Sequence, residues 1–388
     1  MSHLINAGWD PGRLNNKLYI DSGHKIINMN AICSGYERRN LEEEVGETIN
    51  FLDVEVYQEE EFLGRYFVGG MAYKHHRGDL RWAASGIPKF EYEDHNYDEI
   101  IKMVTHLALS QFDVRDLHKK AAFRLGTGSP TEEYFENPEV LEKFAQIMRK
   151  PYKVRFLHPI FKEAEVEVVI PKMYFKPEGT ASMISMAYGE DLSRKEEITR
   201  AFEKGHKIIC INIGSSTTDV AMMLPDMTFD SSGFFGISVG TSNALNQVRS
   251  QLYKDYGYDI SKIKLDFLIR KYKKVSYKGN IIDLESISKR PMEDMLALLK
   301  TRFFDQLELR GIVPGEAGAV YFSGGGITFI EERLENFIHG VATKLSIDPL
   351  FEDARGYFLE TKINEILEER ASTEIFDADE YDECLGVE

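Results

Sequence analysis

The chain has 388 residues, of which 43% are hydrophobic and 29% charged, and its net charge is −17. This length exceeds what one hydrophobic core usually serves, so we expect two domains. The acidic excess argues against a broad basic face that would neutralise nucleic-acid phosphates directly. A protein that carries DNA through a basic adaptor remains compatible with it.

The three cysteines, Cys33, Cys210 and Cys384, are far apart and form no CxxC pair. This spacing favours neither a disulfide framework nor a zinc site and is typical of a reducing cytoplasm. The first residues, MSHLINAGWDPGRL, hold no apolar run of signal-peptide length, and no stretch has the length of a membrane span. We therefore expect a cytoplasmic protein that makes no membrane contact.

The first chemical motif lies in a predicted strand–turn–strand unit over residues 3–20. Gly12 allows the backbone to approach a ligand closely. Lys17 offers an ammonium group to a phosphate, and Asp10 can hold a metal ion through water. A plain hairpin with a surface lysine is the alternative interpretation of this unit taken alone.

The next segments alternate between predicted strands and helices. Strands are predicted near residues 25–32, 48–57, 64–73, 121–125, 152–157 and 166–170, and helices over 97–112, 131–148 and 180–188. Adjacent histidines on a strand point apart, so His75 and His76 predict a solvated loop rather than a metal site. Glu178 precedes the last of these helices, where a carboxylate usually reflects the charge preference of a helix start.

A second strand–turn–strand unit covers residues 207–224. Its turn, NIGSSTTD, consists of small and hydroxyl residues after a buried strand, and such a turn presents backbone N–H groups that suit phosphate oxygens. Many ordinary hairpins look the same. A comparable unit near the N-terminus favours the phosphate-binding interpretation.

The remaining segments include one further motif. We predict a strand at 229–237, a helix at 240–256, mainly helical structure with a hairpin near 277–280 over 257–310, and a strand at 319–322. The strand leads into Ser323-Gly324-Gly325-Gly326, and apolar spacing from Ile330 to Leu345 predicts a helix after the glycines. Three glycines before a helix start permit close approach of a ligand. A final helix at 357–369 and a frayed acidic tail from 374 complete the chain.

Taken together, the three motifs resemble the actin-like ATPase superfamily, and within it the ParM and Alp proteins that segregate plasmids. The resemblance rests on Asp-x-Gly…Asn-x-Lys at 10–17, Gly-Ser-Ser-Thr-Thr-Asp at 214–219 and Ser-Gly-Gly-Gly at 323–326. It implies an α/β fold of duplicated, ribonuclease H-like domains with mixed five-stranded sheets flanking a nucleotide cleft. Domain I would comprise residues 1–197, with an outer subdomain near 36–95 and a returning helix at 349–371. Domain II would comprise 198–348, with an outer subdomain near 257–310, and 372–388 would be an acidic tail.

The resemblance also implies roles for individual residues. The nucleotide-binding set would be Gly12, Arg13, Leu14, Asn15, Lys17, Gly214, Ser215, Ser216, Thr217, Gly324, Gly325, Gly326 and Ile327. The two loops would hold the phosphates of ATP or GTP from opposite domains, Lys17 would contact the β- and γ-phosphates, and residues 324–327 would line the nucleoside. Asp10 and Asn212 would hold Mg²⁺ through water. Glu178 would position the water that attacks the γ-phosphate.

One position departs from the family pattern, which usually has Asp where this chain has Asn212. An amide keeps the shape but drops a negative charge beside the metal. We therefore expect weaker metal binding or slower hydrolysis than usual, and a gain in one of these on Asn212→Asp.

The implied function is a nucleotide-hydrolysing protein that polymerises head to tail and moves plasmid DNA through a DNA-binding adaptor. Two alternatives remain open at this point. A small-molecule kinase of the same fold would transfer phosphate to a metabolite without assembling. A non-catalytic scaffold with a degenerate cleft, which Asn212 makes conceivable, would be indifferent to nucleotide.

Overall fold

Two β-sheets organise the chain in the computed structural model, which describes residues 4–38, 46–82, 90 and 97–384. The strands are β1 (Ile5–Pro11), β2 (Asn15–Ile20), β3 (Lys25–Met29), β4 (Ala31–Ser34), β5 (Asp53–Gln58), β6 (Glu61–Val68), β7 (Arg81–Trp82), β8 (His118–Ser129), β9 (Tyr152–Phe156), β10 (Glu165–Pro177), β11 (Lys207–Ile213), β12 (Thr218–Met223), β13 (Phe235–Ile237), β14 (Lys274–Tyr277), β15 (Asn280–Asp283), β16 (Ala317–Ser323) and β17 (Ala342–Leu345). The helices are α1 (Gly70–His75), α2 (Asp98–Ser110), α3 (Thr131–Glu136), α4 (Pro138–Met148), α5 (Thr180–Ala187), α6 (Glu196–Glu203), α7 (Thr241–Tyr256), α8 (Lys262–Lys271), α9 (Leu284–Leu309) and α10 (Glu352–Cys384).

The first sheet has ten strands in the order β3-β2-β1-β8-β10-β9-β5-β6-β4-β7. Its first five strands are the mixed sheet expected from the sequence, with β1 antiparallel to β2 and parallel to β8. The sheet continues because β10 pairs with β8 on one edge and with β9 on the other. A register shift between Val169 and Lys172 interrupts β10, and such bulges bend a strand and increase its twist.

The second sheet has five strands in the order β13-β12-β11-β16-β17. It repeats the local plan of the first, since β11 is antiparallel to β12 and parallel to β16. The hairpins β1–β2 and β11–β12 therefore occupy the same place in their sheets. Helices α7 and α9 help to cover the second sheet, and residues 208–213 are buried along the whole of β11. Strands covered on both faces read as continuous apolar runs.

The segment after the glycine triplet differs from the predicted helix. It forms short 3₁₀ turns at Gly325–Phe329 and Glu331–Arg333, then irregular chain, then β17. Ile330, Leu334 and Phe337 are indeed buried. The spacing thus reported burial correctly, but positive φ at Asn336 and Gly340 ends any helical path.

The last helix is longer than predicted, because α10 begins at Glu352 and extends to Cys384, and residues 385–388 of the predicted tail lie outside the described residues. Neither glycine nor proline occurs between Gly356 and Gly386, so no helix breaker interrupts it. The hairpin predicted near 277–280 is confirmed as β14–β15. Within the predicted outer subdomain at 36–95, residues 39–45, 83–89 and 91–95 lie outside the described residues. No helix in the described part of the chain is both long and apolar enough to cross a bilayer.

Helix α2 places a buried histidine behind β1. The ring of His106 lies 5.2 Å from that of Trp9, and its Nδ1 bonds the Lys102 carbonyl at 2.6 Å. Burial lowers the pKa of His106 to about 4, and the Lys102 ammonium contributes to the lowering. A free histidine has a pKa of about 6.5. Between these two pH values His106 is therefore protonated in the unfolded chain and neutral in the folded protein.

This histidine predicts a loss of stability as the pH falls below about 6.5. Between pH 8 and pH 5 the wild-type protein should lose about 2 kcal/mol more unfolding free energy than His106→Gln, which does not titrate. Urea unfolding of both proteins at the two pH values measures the difference. Equal losses in the two proteins would contradict the assignment.

Candidate functional site

One cleft between the two sheets collects almost every residue that the sequence predicted for the site. These residues are Asp10, Gly12, Arg13, Leu14, Asn15, Lys17, Glu178, Asn212, Gly214, Ser215, Ser216, Thr217, Gly324, Gly325 and Gly326. The exception is Ile327, whose side chain is buried in the apolar core beneath the second sheet. Its position within a tight 3₁₀ turn directs the side chain inward. The two hairpin turns, which are 202 residues apart between Gly12 and Gly214, thus meet at one place.

The first hairpin sets Asp10 against Lys17. The two residues are paired in the β1–β2 register, and Lys17 Nζ lies 2.6 Å from Asp10 Oδ2. Both side chains are largely buried, which strengthens the ion pair relative to one in water. This pair holds the lysine ammonium at the cleft, where it can also reach an anionic ligand.

A buried network supports the turn that follows Asp10. The Asn30 side chain donates to the Gly12 carbonyl at 2.8 Å, and its backbone N–H donates to the Leu14 carbonyl at 2.9 Å. The Lys102 ammonium in turn donates to the Asn30 side-chain oxygen and to Glu99 at 2.5 Å. A buried cation on α2 therefore fixes the turn through one asparagine. No local sequence pattern reveals this connection.

The second hairpin turn rests against the start of α7. Gly214 donates its N–H to the Thr217 carbonyl at 2.9 Å, which closes the turn. The N–H groups of Thr241 and Ser242 donate to the carbonyls of Gly214 and Ser215, at 3.2 and 2.7 Å. The turn is thereby held at the positive end of a helix, an arrangement that favours anions.

Glu178 enters the cleft from the floor between the two sheets. Its backbone N–H donates to the Ser129 carbonyl at 2.9 Å, and Gly179 follows with a φ of 77°. Across the floor, Asp219 accepts a hydrogen bond from the Thr131 backbone N–H at 2.9 Å. This last bond joins β12 of the second sheet to the start of α3, so both halves of the molecule position the floor.

The glycine triplet lies directly against β11. Gly324 has a φ of 88°, and a Cβ at this position would overlap the Asn212 side-chain oxygen. The sequence predicted that a ligand can approach these glycines closely. In the structure, part of the close packing is against β11 of the protein itself. Such tight packing does not fit a flexible connector.

Two charged residues of the cleft had no role assigned from the sequence. Arg270 on α8 donates to the Gly325 carbonyl at 3.0 Å and to Asp266, and its guanidinium lies 4.0 Å from the centre of the Phe329 ring. Asp353, near the start of α10, lines the cleft beside Asn212. Both are brought there by contacts distant in sequence, which no local pattern signals.

The surroundings of Asp353 are polar but predominantly negative. Asn212 Nδ2 donates to its Oδ2 at 2.5 Å, and Ser182 donates to its Oδ1 at 2.7 Å. Burial raises the pKa of Asp353 to about 7, and the carboxylates of Asp10 and Glu178 add to the rise. The described residues form no salt bridge with Asp353.

The residues at the cleft suit a hydrated cation better than a directly ligated one. No three His, Cys, Asp or Glu side chains of the described chain come together as direct ligands. The hydroxyls of Ser129, Thr180 and Tyr357 are buried and have no hydrogen-bond partner among the described residues. Thr180 and Tyr357 are close in the chain to Glu178 and Asp353, and Ser129 accepts the Glu178 backbone N–H at its carbonyl. Buried hydroxyls are commonly satisfied by ordered water, and Mg²⁺ usually keeps several waters when bound.

Solved structures share this architecture over nearly the whole chain. A ParM filament from Clostridium botulinum superimposes with a TM-score of 0.73 at 17% identity, covering 93% of this chain and 99% of the other. The fold of the chain is actin-like.

Two further structures of this fold were determined with nucleotide. An archaeal actin homolog in complex with ADP gives a TM-score of 0.67 at 16% identity over 92% of this chain and 99% of its own. Bacillus thuringiensis ParM with AMPPNP gives 0.67 at 13% over 93% and 99%. No family model matches the sequence, and no curated protein matches it. The actin-like fold predicted from the sequence is confirmed, whereas activity has to be argued from the site.

The Asn30 network predicts a specific effect on ligand binding in this actin-like cleft. Asn30→Ala should weaken the binding of a fluorescent ATP analogue about tenfold, since the loss of its hydrogen bonds costs about 1.4 kcal/mol. Asn28→Ala is the matched control, because the Asn28 side chain bonds Ile49 and Gly70 instead of the turn. Equal loss of affinity in both variants would contradict a role in holding the turn.

Gly324 provides a test of the packing against β11. Gly324→Ala and Gly279→Ala both place an alanine at positive φ, but a Cβ at position 279 would meet nothing within 4 Å. Each should lose about 1–2 kcal/mol of unfolding free energy from backbone strain. Gly324→Ala should lose roughly 1–3 kcal/mol more through overlap with Asn212. Urea unfolding measures both, and similar losses would argue against the close packing.

Proposed function

We propose that this protein is a nucleotide-dependent, filament-forming actin-like ATPase or GTPase that acts in the cytoplasm. The observation that carries the proposal is the meeting of two hairpin turns, one from each sheet, with Lys17 and Glu178 at a single cleft. Backbone N–H groups and a lysine suit a polyphosphate, and a nearby carboxylate suits the orientation of water.

The proposed mechanism assigns each side of the cleft one task. The turns at 12–15 and 214–217 hold the phosphates from opposite halves, and Lys17 lies on the β- and γ-phosphates. Asp10 and Asp353, with Asn212 beside them, would hold Mg²⁺ through its waters. When bound, Mg²⁺ neutralises charge on the phosphate oxygens. Glu178 accepts a hydrogen bond from the attacking water and orients it toward the γ-phosphate.

The nucleoside is assigned to the side of the cleft formed by the glycine triplet. Arg270 and Leu350 line the phosphate cleft and also line an adjacent cavity with Phe329 and Met292. This continuity supports a ligand that extends from the phosphates into a partly apolar recess, as a purine nucleotide does. Residues 324–326 line the phosphate cleft itself.

Self-association follows from the fold under this proposal. ParM filament structures of the same fold support head-to-tail assembly, and heterologous contacts that do not close into a ring generate filaments. We further propose that the filament moves plasmid DNA through a basic adaptor, because the net charge of −17 disfavours direct DNA contact.

The test combines assembly with phosphate release. Light scattering and electron microscopy of the full chain should show filaments only with Mg²⁺ and either ATP or GTP. Glu178→Gln should lower the phosphate-release rate about 100-fold while filaments still form, because water orientation is lost and nucleotide binding is retained. Glu136→Gln, an exposed carboxylate on α3, is the control and should match wild type.

Two results would reject the proposal, and a third would reject the role assigned to one residue. Assembly that ignores nucleotide would indicate a scaffold, and phosphate transfer to a metabolite without filaments would indicate a kinase. Unchanged phosphate release in Glu178→Gln would remove the assigned role of that residue.

A further inference from the structure

Asp353 is a buried carboxylate that the two halves of the molecule hold at the cleft together. Asn212 on β11 donates to one carboxylate oxygen, and Ser182 on α5 donates to the other. Helix α10 carries Asp353 and packs on β1 of the first sheet. Two hydrogen bonds from different elements fix this carboxylate in one orientation.

No cation among the described residues forms a salt bridge with Asp353, although the Lys17 ammonium attracts it from a distance. Asp10 and Glu178 both face it as like charges, and Lys17, the neighbouring cation, is already paired with Asp10. Its two hydrogen bonds come from uncharged groups. A buried carboxylate with uncharged partners and like-charged neighbours is costly unless a cation joins it.

Asn212 explains how the carboxylate is kept in this position. The amide nitrogen donates a hydrogen bond that an aspartate at the same place would lack. Two carboxylates at 2.5 Å would repel or share a proton. A carboxylate at position 353 therefore favours an amide over a second carboxylate at position 212.

We propose that Asp353 on α10, and not position 212 on β11, supplies the second carboxylate that faces the hydrated divalent cation of a bound nucleoside triphosphate. Asn212 is then a positioning residue that orients Asp353. This inference rests on the proposed nucleotide-binding function. It reverses the expectation that Asn212→Asp would improve metal binding or hydrolysis, because the new carboxylate would lie against Asp353.

The experiment measures how strongly Mg²⁺ enhances nucleotide binding. Affinities for a fluorescent ATP analogue are determined in EDTA and in Mg²⁺, for wild type, Asp353→Asn, Asn212→Asp and the double variant that exchanges the two residues. Mn²⁺ electron paramagnetic resonance of the nucleotide complex gives an independent readout. Glu352→Gln is the matched control, because this neighbouring carboxylate bonds Ser185 and Ser346 away from the cleft.

In Asp353→Asn the enhancement of nucleotide binding by Mg²⁺ should be about tenfold smaller than in wild type. In EDTA the variant should bind the analogue at least as tightly as wild type, since a repulsive charge is gone. Asn212→Asp should unfold at lower temperature and gain no enhancement. The double variant should recover most of the enhancement, because one carboxylate and one amide again face each other. Glu352→Gln should keep it in full.

Two results would overturn the inference. Asp353→Asn with the full wild-type enhancement, or with equal losses in EDTA and Mg²⁺, would reduce Asp353 to a structural residue. Should Asp353→Asn fail to fold, the double variant decides, and absence of recovery there counts against the proposal. Wild-type protein that binds no analogue in either condition would instead reject the proposed function itself.

Discussion

The hydrogen bond from the Asn212 amide to the Asp353 carboxylate joins the second sheet to the helix that covers the first. Ser182 on α5 donates to the other carboxylate oxygen. Groups on β11 and α5 thus fix the position of a buried charge on α10. The geometry of the cleft depends on these two hydrogen bonds. If the carboxylate moved, α10 and β11 would lose their polar connection, and a buried charge would be left without its donors.

Close backbone packing makes that bond reachable. A Cβ at Gly8 would overlap the Ala354 carbonyl, and a Cβ at Gly356 would overlap the Ala181 carbonyl. Glycine at these two positions lets α10 lie directly on β1 and α5. The start of α10 thus reaches the edge of the cleft at Asp353. The two glycines that allow this, Gly8 and Gly356, lie far apart in the chain.

How well the sequence predicted each feature depends on how far apart in the chain the interacting residues lie. The turns at 12–15 and 214–217 were predictable, because a buried strand followed by Gly12 or by the small polar residues at 214–217 is a local signal. The helix expected after Gly326 was wrong, because apolar spacing reports which residues are buried and does not fix the backbone path at Asn336 and Gly340. Asp353 and Arg270 had no predicted role, since their decisive contacts join residues 141 and 55 positions apart.

The cleft presents two kinds of group that make opposite demands on a ligand. The turns offer N–H groups and Lys17, which favour a polyphosphate, whereas Glu178 and Asp353 disfavour the same negative charge. A polyphosphate alone would lie against these two carboxylates, and a divalent cation alone would leave the turns without an anion. A ligand that carries both charges satisfies both sides at once and brings the two halves together across them. Under the proposed function, selectivity for the metal complex of a polyphosphate follows from where residues 178, 212 and 353 lie, and the fold contributes by bringing them to the same cleft.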